Sequence, residues 1–301
     1  MPGRKTARAG AYLKLIRPKQ WIKNLFVFAP LIFAKELFDA GPVIAAVEAF
    51  VAFCLAASAV YVINDIADVE ADRLHPVKRH RPIAAGAVSA TEAYLLIAML
   101  LVGASLAAYA MDSLFQLILA GYVAMNVAYS FRLKHIVLLD VFIVAAGFMM
   151  RVLGGAYAIR VETSTWLVLC TLFISLFLGF AKRRGELVVI EDAAYPERKV
   201  LQLYRVEFLD QMLTIAAAGT VISYALYTVA PRTLIVFGTD KLIYTTVFVI
   251  YGIFRYLYLI HTTRSTDNPT NAITSDWPIL ITATLWVISC VLLIYFGVQP
   301  A

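Results

Sequence analysis

The sequence predicts an all-helical, polytopic membrane protein, and three features carry that prediction. Apolar residues make up 61% of the 301 residues and charged residues 15%, against roughly half and roughly a quarter in an average soluble domain. Apolar stretches recur at about the 20-residue length that a helix needs to cross a bilayer. Lysines and arginines gather in alternate connections, which is the positive-inside pattern. The net charge of +6 is divided among short loops, which argues against nucleic-acid binding and for membrane lipids and anionic substrates as partners.

Nine spans are expected, over residues 22–38, 43–64, 90–110, 113–131, 136–156, 164–181, 211–230, 242–261 and 278–298. The first is the least regular, because it carries Pro30, Lys35 and Glu36. Residues 1–10 have charges but no apolar core or cleavage site, so they do not read as a cleaved signal peptide. Placing the N-terminus in the cytoplasm puts the polar gaps 65–89, 182–210 and 262–277 on that same side, together with Lys14, Arg17, Lys19, Lys23, Arg132 and Lys134. The opposite side receives little beyond Arg160, Arg232 and Lys241. Cys54, Cys170 and Cys290 each fall inside an apolar run and read as small packing residues. Short connections favour antiparallel neighbours, so residues 1–301 are expected to form one bundle domain.

The chemistry concentrates at 64–72, Asn-Asp-Ile-Ala-Asp-Val-Glu-Ala-Asp. Asp65, Asp68 and Asp72 recur at i, i+3 and i+7, which places them on one helical face, with Asn64 beside them and Glu70 pointing elsewhere. Stacked carboxylates repel unless a cation sits among them. Their hard oxygens suit Mg²⁺, which commonly brings substrate phosphates with it. Asp65, Asp68 and Asp72 are therefore the expected metal ligands. The following stretch holds Lys78, Arg79 and Arg81, stiffened by Pro76 and Pro82, with Gly86 permitting a tight turn. A stiff basic loop beside a carboxylate–metal cluster predicts a diphosphate site at a membrane surface.

Three further groups supply candidate ligands. Lys19, Gln20, Lys23 and Asn24 surround Trp21 and suit both interfacial anchoring and contact with a lipid phosphate. Asn126, Tyr129 and Ser130 end a span, Lys134 follows in a short loop, and Asp140 lies inside the next span, where an ionisable group is costly and usually functional. A Lys134–Asp140 pair is expected there. Lys182, Arg183 and Glu186 open the second polar gap, and one carboxylate among Glu186, Glu191, Asp192, Glu207 and Asp210 is a candidate to complete a metal site. Arg151, among Gly147, Gly154 and Gly155, lies deep in a span, away from the expected phosphate face.

The segment Asn64-Asp65-x-x-Asp68-x-x-x-Asp72 resembles the first aspartate-rich motif of the UbiA superfamily of intramembrane prenyltransferases. Arg17-Pro-x-Gln20-Trp21-x-Lys23-Asn24 and His75-Pro-x-Lys78-Arg79-x-Arg81-Pro-Ile-Ala-Ala-Gly86 narrow the resemblance to the decaprenyl-phosphate phosphoribosyltransferases. Tyr129 with Lys134, Lys182-Arg183-x-x-Glu186 and a late Asn268…Asp276 pair continue it. That resemblance implies a nine-helix bundle around a cytoplasm-facing cavity in the bacterial plasma membrane, with Mg²⁺ as cofactor. It implies transfer of phosphoribose from 5-phosphoribosyl 1-diphosphate to a polyprenyl phosphate, decaprenyl phosphate in the best-known members; the Lys182-Arg183-Arg184 cations depart from the ordinary prenyltransferase pattern and suit a donor with an extra 5-phosphate. Asp65, Asp68, Asp72 and Lys134 then carry catalysis. Lys19, Gln20, Lys23, Asn24, Asn64, Lys78, Arg79, Arg81, Asn126, Tyr129, Asp140, Lys182, Arg183 and Glu186 bind substrate. Prenyl transfer to an aromatic acceptor and membrane transport are the alternatives, and a homo-oligomer is left open.

Overall fold

The structure, a computed structural model, describes residues 2–192, 199–262 and 275–297. Asn268 of the late motif and the side chains of Glu191 and Asp192 lie outside the described residues. Every regular element among the described residues is helical. Eight helices are long and apolar enough to cross a membrane: Ala40–Ala67, Ala90–Ala108, Ser113–Phe131, Leu139–Ala158, Thr165–Val188, Val206–Val229, Lys241–Thr262 and Trp277–Phe296.

The span expected at 22–38 is not among these eight. It is replaced by a 3₁₀ helix, Pro18–Phe28, and a five-residue α-helix, Ala29–Phe33. The backbone enters through Arg17 at φ 50° and leaves through Lys35 at φ 63°, both left-handed conformations that end regular helices. Pro30 also lacks the N–H that a continuous helix would need.

The chain divides into two compact units. The first comprises the described residues up to Leu31, Phe38–Ile136 and Met150–Glu162; the second comprises Ile32–Leu37, Val137–Met149 and the described residues from Thr163 onward. In chain order the α-helices are α1 (Pro2–Ile16), α2 (Ala29–Phe33), α3 (Ala40–Ala67), α4 (Val69–Leu74), α5 (Ala90–Ala108), α6 (Ser113–Phe131), α7 (Leu139–Ala158), α8 (Thr165–Asp192), α9 (Val206–Val229), α10 (Pro231–Phe237), α11 (Thr246–Thr262) and α12 (Trp277–Phe296).

The first unit is built around α3, which packs against α1, the 3₁₀ helix, α5 and α6. Buried Ala46, Ala49, Ala52, Ala56, Ala57 and Ala59 let these neighbours approach closely. Phe53 fills the core edge-on to Phe115, with ring centroids 5.9 Å apart. Trp21 Nε1 donates to Ser58 Oγ at 3.1 Å, and Ser58 Oγ donates to the Ile16 carbonyl at 2.8 Å. The N-terminal segment is thereby tied to α3. Arg151 does not lie buried alone: its Nε donates to Asn24 Oδ1 at 2.6 Å, its Nη2 to Tyr122 OH at 2.8 Å, and its guanidinium covers the Tyr122 ring. Each contact is with a neutral group, and together they offset part of the burial cost of the cation.

In the second unit α8 and α9 form the principal helix pair, α9 also meets α10 and α11, and α11 meets α12. Phe177, Phe180, Leu209, Leu213 and Tyr256 lie in its main core. Tyr295 OH accepts from Leu37 N and donates to the Ile32 carbonyl, so α12 holds the 32–37 segment. Asp276 caps α12 by accepting from Ile279 N at 3.0 Å. Arg255 Nη2 donates to the same carboxylate at 2.9 Å and, as the main cause, holds its pKa below the ordinary carboxylate range.

Gly155 marks the tightest approach in the first unit: a Cβ there would lie 2.1 Å from the Val27 carbonyl oxygen. Backbone, not a yielding side chain, occupies that space. Gly155→Ala is expected to destabilise the protein by about 1–3 kcal/mol, read as a lower unfolding temperature in detergent. Gly252→Ala, with nothing within 4 Å of the added Cβ, should leave that temperature unchanged or raise it slightly.

Candidate functional site

The C-terminal end of α3 carries Asn64 and Asp65, Asp68 stands at the junction with α4, and Asp72 lies on α4. Backbone bonds from Asp68 N to Asn64 O and from Asp72 N to Asp68 O keep the turn nearly helical through the break. The three carboxylates do not share one partner. Arg81 Nη1 reaches Asp65 Oδ1 at 3.1 Å and Asp72 Oδ2 at 2.7 Å. Arg17 Nη2 donates to Asp65 Oδ1 at 2.5 Å while its guanidinium covers the Tyr61 ring. Asp68 instead receives Lys134 Nζ and Asn64 Nδ2. The side chains of Asp65, Asp72 and Lys134 are only 2%, 4% and 4% exposed, so these are charges neutralised inside the protein and not a solvated helix end.

Lys134 therefore pairs with Asp68, not with Asp140 as its position in the chain suggests. It sits in the 3₁₀ turn Leu133–His135, and the following Leu138 adopts φ 66°. That left-handed residue separates the turn from α7 and sends Asp140 into the other unit. Lys78 and Arg79 lie in the 3₁₀ turn Lys78–His80, with Arg79 exposed, and Gly86 takes φ 71°, the turn geometry anticipated from its sequence. Glu70 pairs only with Arg73 on the surface, also as anticipated.

The second unit has its own charge cluster. Asp140 is fully buried and Arg183 is 1% exposed. Arg183 Nε meets Asp140 Oδ2 at 2.5 Å, and its Nη1 bonds Glu186. Tyr204 OH donates to Asp140 Oδ1 at 2.7 Å and accepts from Leu138 N at 2.6 Å, fixing the strained residue at the start of α7. Burial is the main cause that pushes the Tyr204 phenol pKa above its ordinary value, and the bond it gives Asp140 adds to it. Lys182 lies 3.8 Å from Glu186 and is 39% exposed. Arg183 is thus built into the interior, whereas Lys182 and Glu186 have polar atoms within reach of an incoming group.

The remaining candidates divide in the same way. Lys19 is exposed on the 3₁₀ helix, with Gln20 and Lys23 half-buried. Asn24 is buried, and its amide joins Arg151 to Cys54. These contacts tie it into the core. Asn126 Nδ2 donates to the Tyr122 carbonyl at 2.8 Å, and Tyr129 is half-buried on the same helix. Arg17 belongs to this charge cluster and is absent from the candidate set. Its signal was its place at the head of the Arg17-Pro motif, but the 48-residue separation from Asp65 hides the pairing.

Among the described residues no three His, Cys, Asp or Glu side chains converge as a metal-ligand group. Two carboxylates do: one guanidinium nitrogen bridges Asp65 and Asp72, so their oxygens already bracket a position for a positive charge. That donor set fits a small hard cation completed by water and phosphate oxygens. Asp68, held by Lys134 and Asn64, lies beside this pair and not within it.

Long apolar helices carrying buried acid–base clusters define a polytopic membrane protein. The chain belongs to the UbiA prenyltransferase family, whose model matches residues 25–275, and it is accordingly an integral membrane transferase. A decaprenyl-phosphate phosphoribosyltransferase of Mycolicibacterium smegmatis is 41% identical over 71% of this chain and 69% of its own. Proteins of the same name from Corynebacterium glutamicum and Mycobacterium tuberculosis are each 39% identical, over 73% and 71% of this chain and 67% and 72% of theirs. A UbiA homologue from Archaeoglobus fulgidus bound to GPP and Mg²⁺ superposes with a TM-score of 0.71 at 20% identity, over 94% of this chain and 99% of that one. At that identity the likeness establishes the fold alone.

Removing Arg183 leaves Asp140 buried without its counter-ion. Arg183→Met is expected to cost roughly 3–5 kcal/mol, read by thermal or denaturant unfolding. Adding Asp140→Asn should restore much of the loss. A single variant as stable as wild type would contradict the internal role given to Arg183.

Proposed function

We propose that the chain transfers 5-phosphoribose from 5-phosphoribosyl 1-diphosphate to a polyprenyl phosphate, decaprenyl phosphate being the acceptor named in its relatives. The observation that carries this reading is the cation position bracketed by Asp65 and Asp72 next to the basic 78–81 turn. It suits a metal-complexed diphosphate, and the relatives' names select phosphoribosyl diphosphate over a prenyl diphosphate as its bearer.

The whole chain, residues 1–301, acts as one catalytic domain in the bacterial plasma membrane, with the N-terminus and both charge clusters at the cytoplasmic face. This orientation rests on the distribution of basic residues. Asp65 and Asp72, with Asp68 beside them, hold Mg²⁺. When bound, that ion supplies Lewis-acid neutralisation of the leaving diphosphate. Lys78, Arg79 and Arg81 bind the diphosphate oxygens, and Lys134 holds the Asp68 side chain in place. Lys19, Gln20 and Lys23 receive the lipid phosphate. In the second unit Lys182 is the cation exposed to an anionic group, while Arg183 holds Glu186 in place.

An oxygen of the lipid phosphate attacks the anomeric carbon, the bond from that carbon to the diphosphate oxygen breaks, and diphosphate departs with the electron pair. The attacking oxygen is already anionic near neutral pH, so no strong general base is required. The arginines stabilise charge that grows on the leaving group in the transition state. The product, a polyprenylphosphoryl-5-phosphoribose, serves as a lipid-linked arabinose precursor for the cell envelope.

Purified protein given Mg²⁺, 5-phosphoribosyl 1-diphosphate and decaprenyl phosphate should yield a lipid heavier by one phosphoribosyl unit, with stoichiometric release of diphosphate. Asp72→Asn should lower turnover by about 100-fold without altering the unfolding temperature by more than a few degrees. Failure of folded, Mg²⁺-supplied protein to form this lipid, with prenyl transfer from a prenyl diphosphate instead, would contradict the proposal.

A further inference from the structure

The carboxylates at the end of α3 already have counter-ions from the chain itself, and burial sorts these into two kinds. Lys134 is 4% exposed and holds Asp68 from within the first unit. Arg17 and Arg81 are 27% and 25% exposed, and they reach Asp65 and Asp72 from the N-terminal segment and from the end of the 78–80 turn. Both arginine side chains border solvent at a place where a guanidinium can swing aside. The buried lysine has no such room.

A divalent cation arriving at Asp65 and Asp72 competes for the oxygens that Arg81 Nη1 bridges and that Arg17 Nη2 touches. Two guanidinium groups and a divalent ion cannot all crowd around two carboxylates without strong repulsion among the cations. We infer that Arg17 and Arg81 are exchangeable counter-ions: entry of the divalent cation releases them from Asp65 and Asp72, and the released guanidinium groups bind the donor's diphosphate. Metal and diphosphate binding are thereby coupled, and the donor is captured as the metal is. Lys134 takes no part in the exchange and stays on Asp68. The inference deepens the proposed function and rests on its assignment of a metal–diphosphate complex to this cluster.

The same arginine then opposes one ligand and favours the other, a signature that a merely structural residue lacks. Full-length protein in detergent is titrated with Mn²⁺ alone and followed by the electron paramagnetic resonance signal of free Mn²⁺. Binding of inorganic diphosphate is then measured at saturating Mn²⁺. Arg81→Gln should tighten Mn²⁺ about tenfold and weaken diphosphate about tenfold, given the strength of charge-assisted hydrogen bonds. Arg17→Gln, which removes a contact to Asp65 only, should move both affinities in the same directions by less. Arg81→Lys retains the charge and should stay nearer wild type on both. Arg73→Gln, whose partner is the exposed Glu70, should change neither.

Weaker or unchanged Mn²⁺ binding in both Arg81→Gln and Arg17→Gln, in samples that remain folded at the assay temperature, overturns the exchange. Loss of both ligands together also overturns it. Because the probes are Mn²⁺ and diphosphate, the result is independent of the sugar. Opposite shifts without any phosphoribosyl lipid product would sink the proposed reaction and leave the exchange standing. A normal product with no opposite shifts would do the reverse.

Discussion

A carboxylate at the end of a 28-residue apolar helix must be matched by positive charge, and Asp65 is such a group at 2% side-chain exposure. An unpaired charge there costs several kcal/mol. Three stretches of the chain are recruited to prevent this: Arg17 from the segment before the 3₁₀ helix, Arg81 from the basic turn, and Lys134 for the neighbouring Asp68. Much of the first unit follows from that requirement. Trp21 and Ser58 fix the N-terminal segment against α3, and the left-handed Arg17 directs its guanidinium back to Asp65. The constraint that stabilises the unit also gathers the charges on which the proposed diphosphate site rests.

The second unit solves the same problem with a different outcome. Asp140, Lys182, Arg183, Glu186 and Tyr204 form a set in which each buried charge has a partner. It stabilises a strained turn at Leu138 and sets the start of α7. Its accessible members are Lys182 and Glu186. Arg184, bound to Asp210 and to the Ile260 carbonyl, is likewise engaged in helix packing. Of the three consecutive cations at 182–184, two thus serve the fold and Lys182 is the most exposed.

Composition and periodicity made the helical membrane class legible, because a bilayer imposes long apolar segments on any chain that crosses it. The aspartate stripe and the basic turn were legible for a similar reason: their members are close in sequence, and helical geometry relates them directly. Pairings over long separations were not. Lys134 is six residues from Asp140, yet it bonds Asp68, 66 residues away. Arg17 finds Asp65 through the fold, and Asn24 turns inward to Arg151. The 22–38 segment was misjudged because hydropathy registers its apolar content but not the left-handed residues that break its helix. Which of the charged residues neutralise one another is decided by tertiary packing.

The most direct test of this account is a double-mutant cycle between Asp65 and Arg81, read as unfolding free energy of the full chain in detergent without added metal. Asp65→Asn, Arg81→Gln and the double variant are compared with wild type. If the buried charges form one interdependent set, the double variant will be more stable than the sum of the single losses predicts, with a coupling of about 1–3 kcal/mol. Single effects that add to within about 0.5 kcal/mol would contradict it, and would mean that the charges at the end of α3 are neutralised in some way other than by each other.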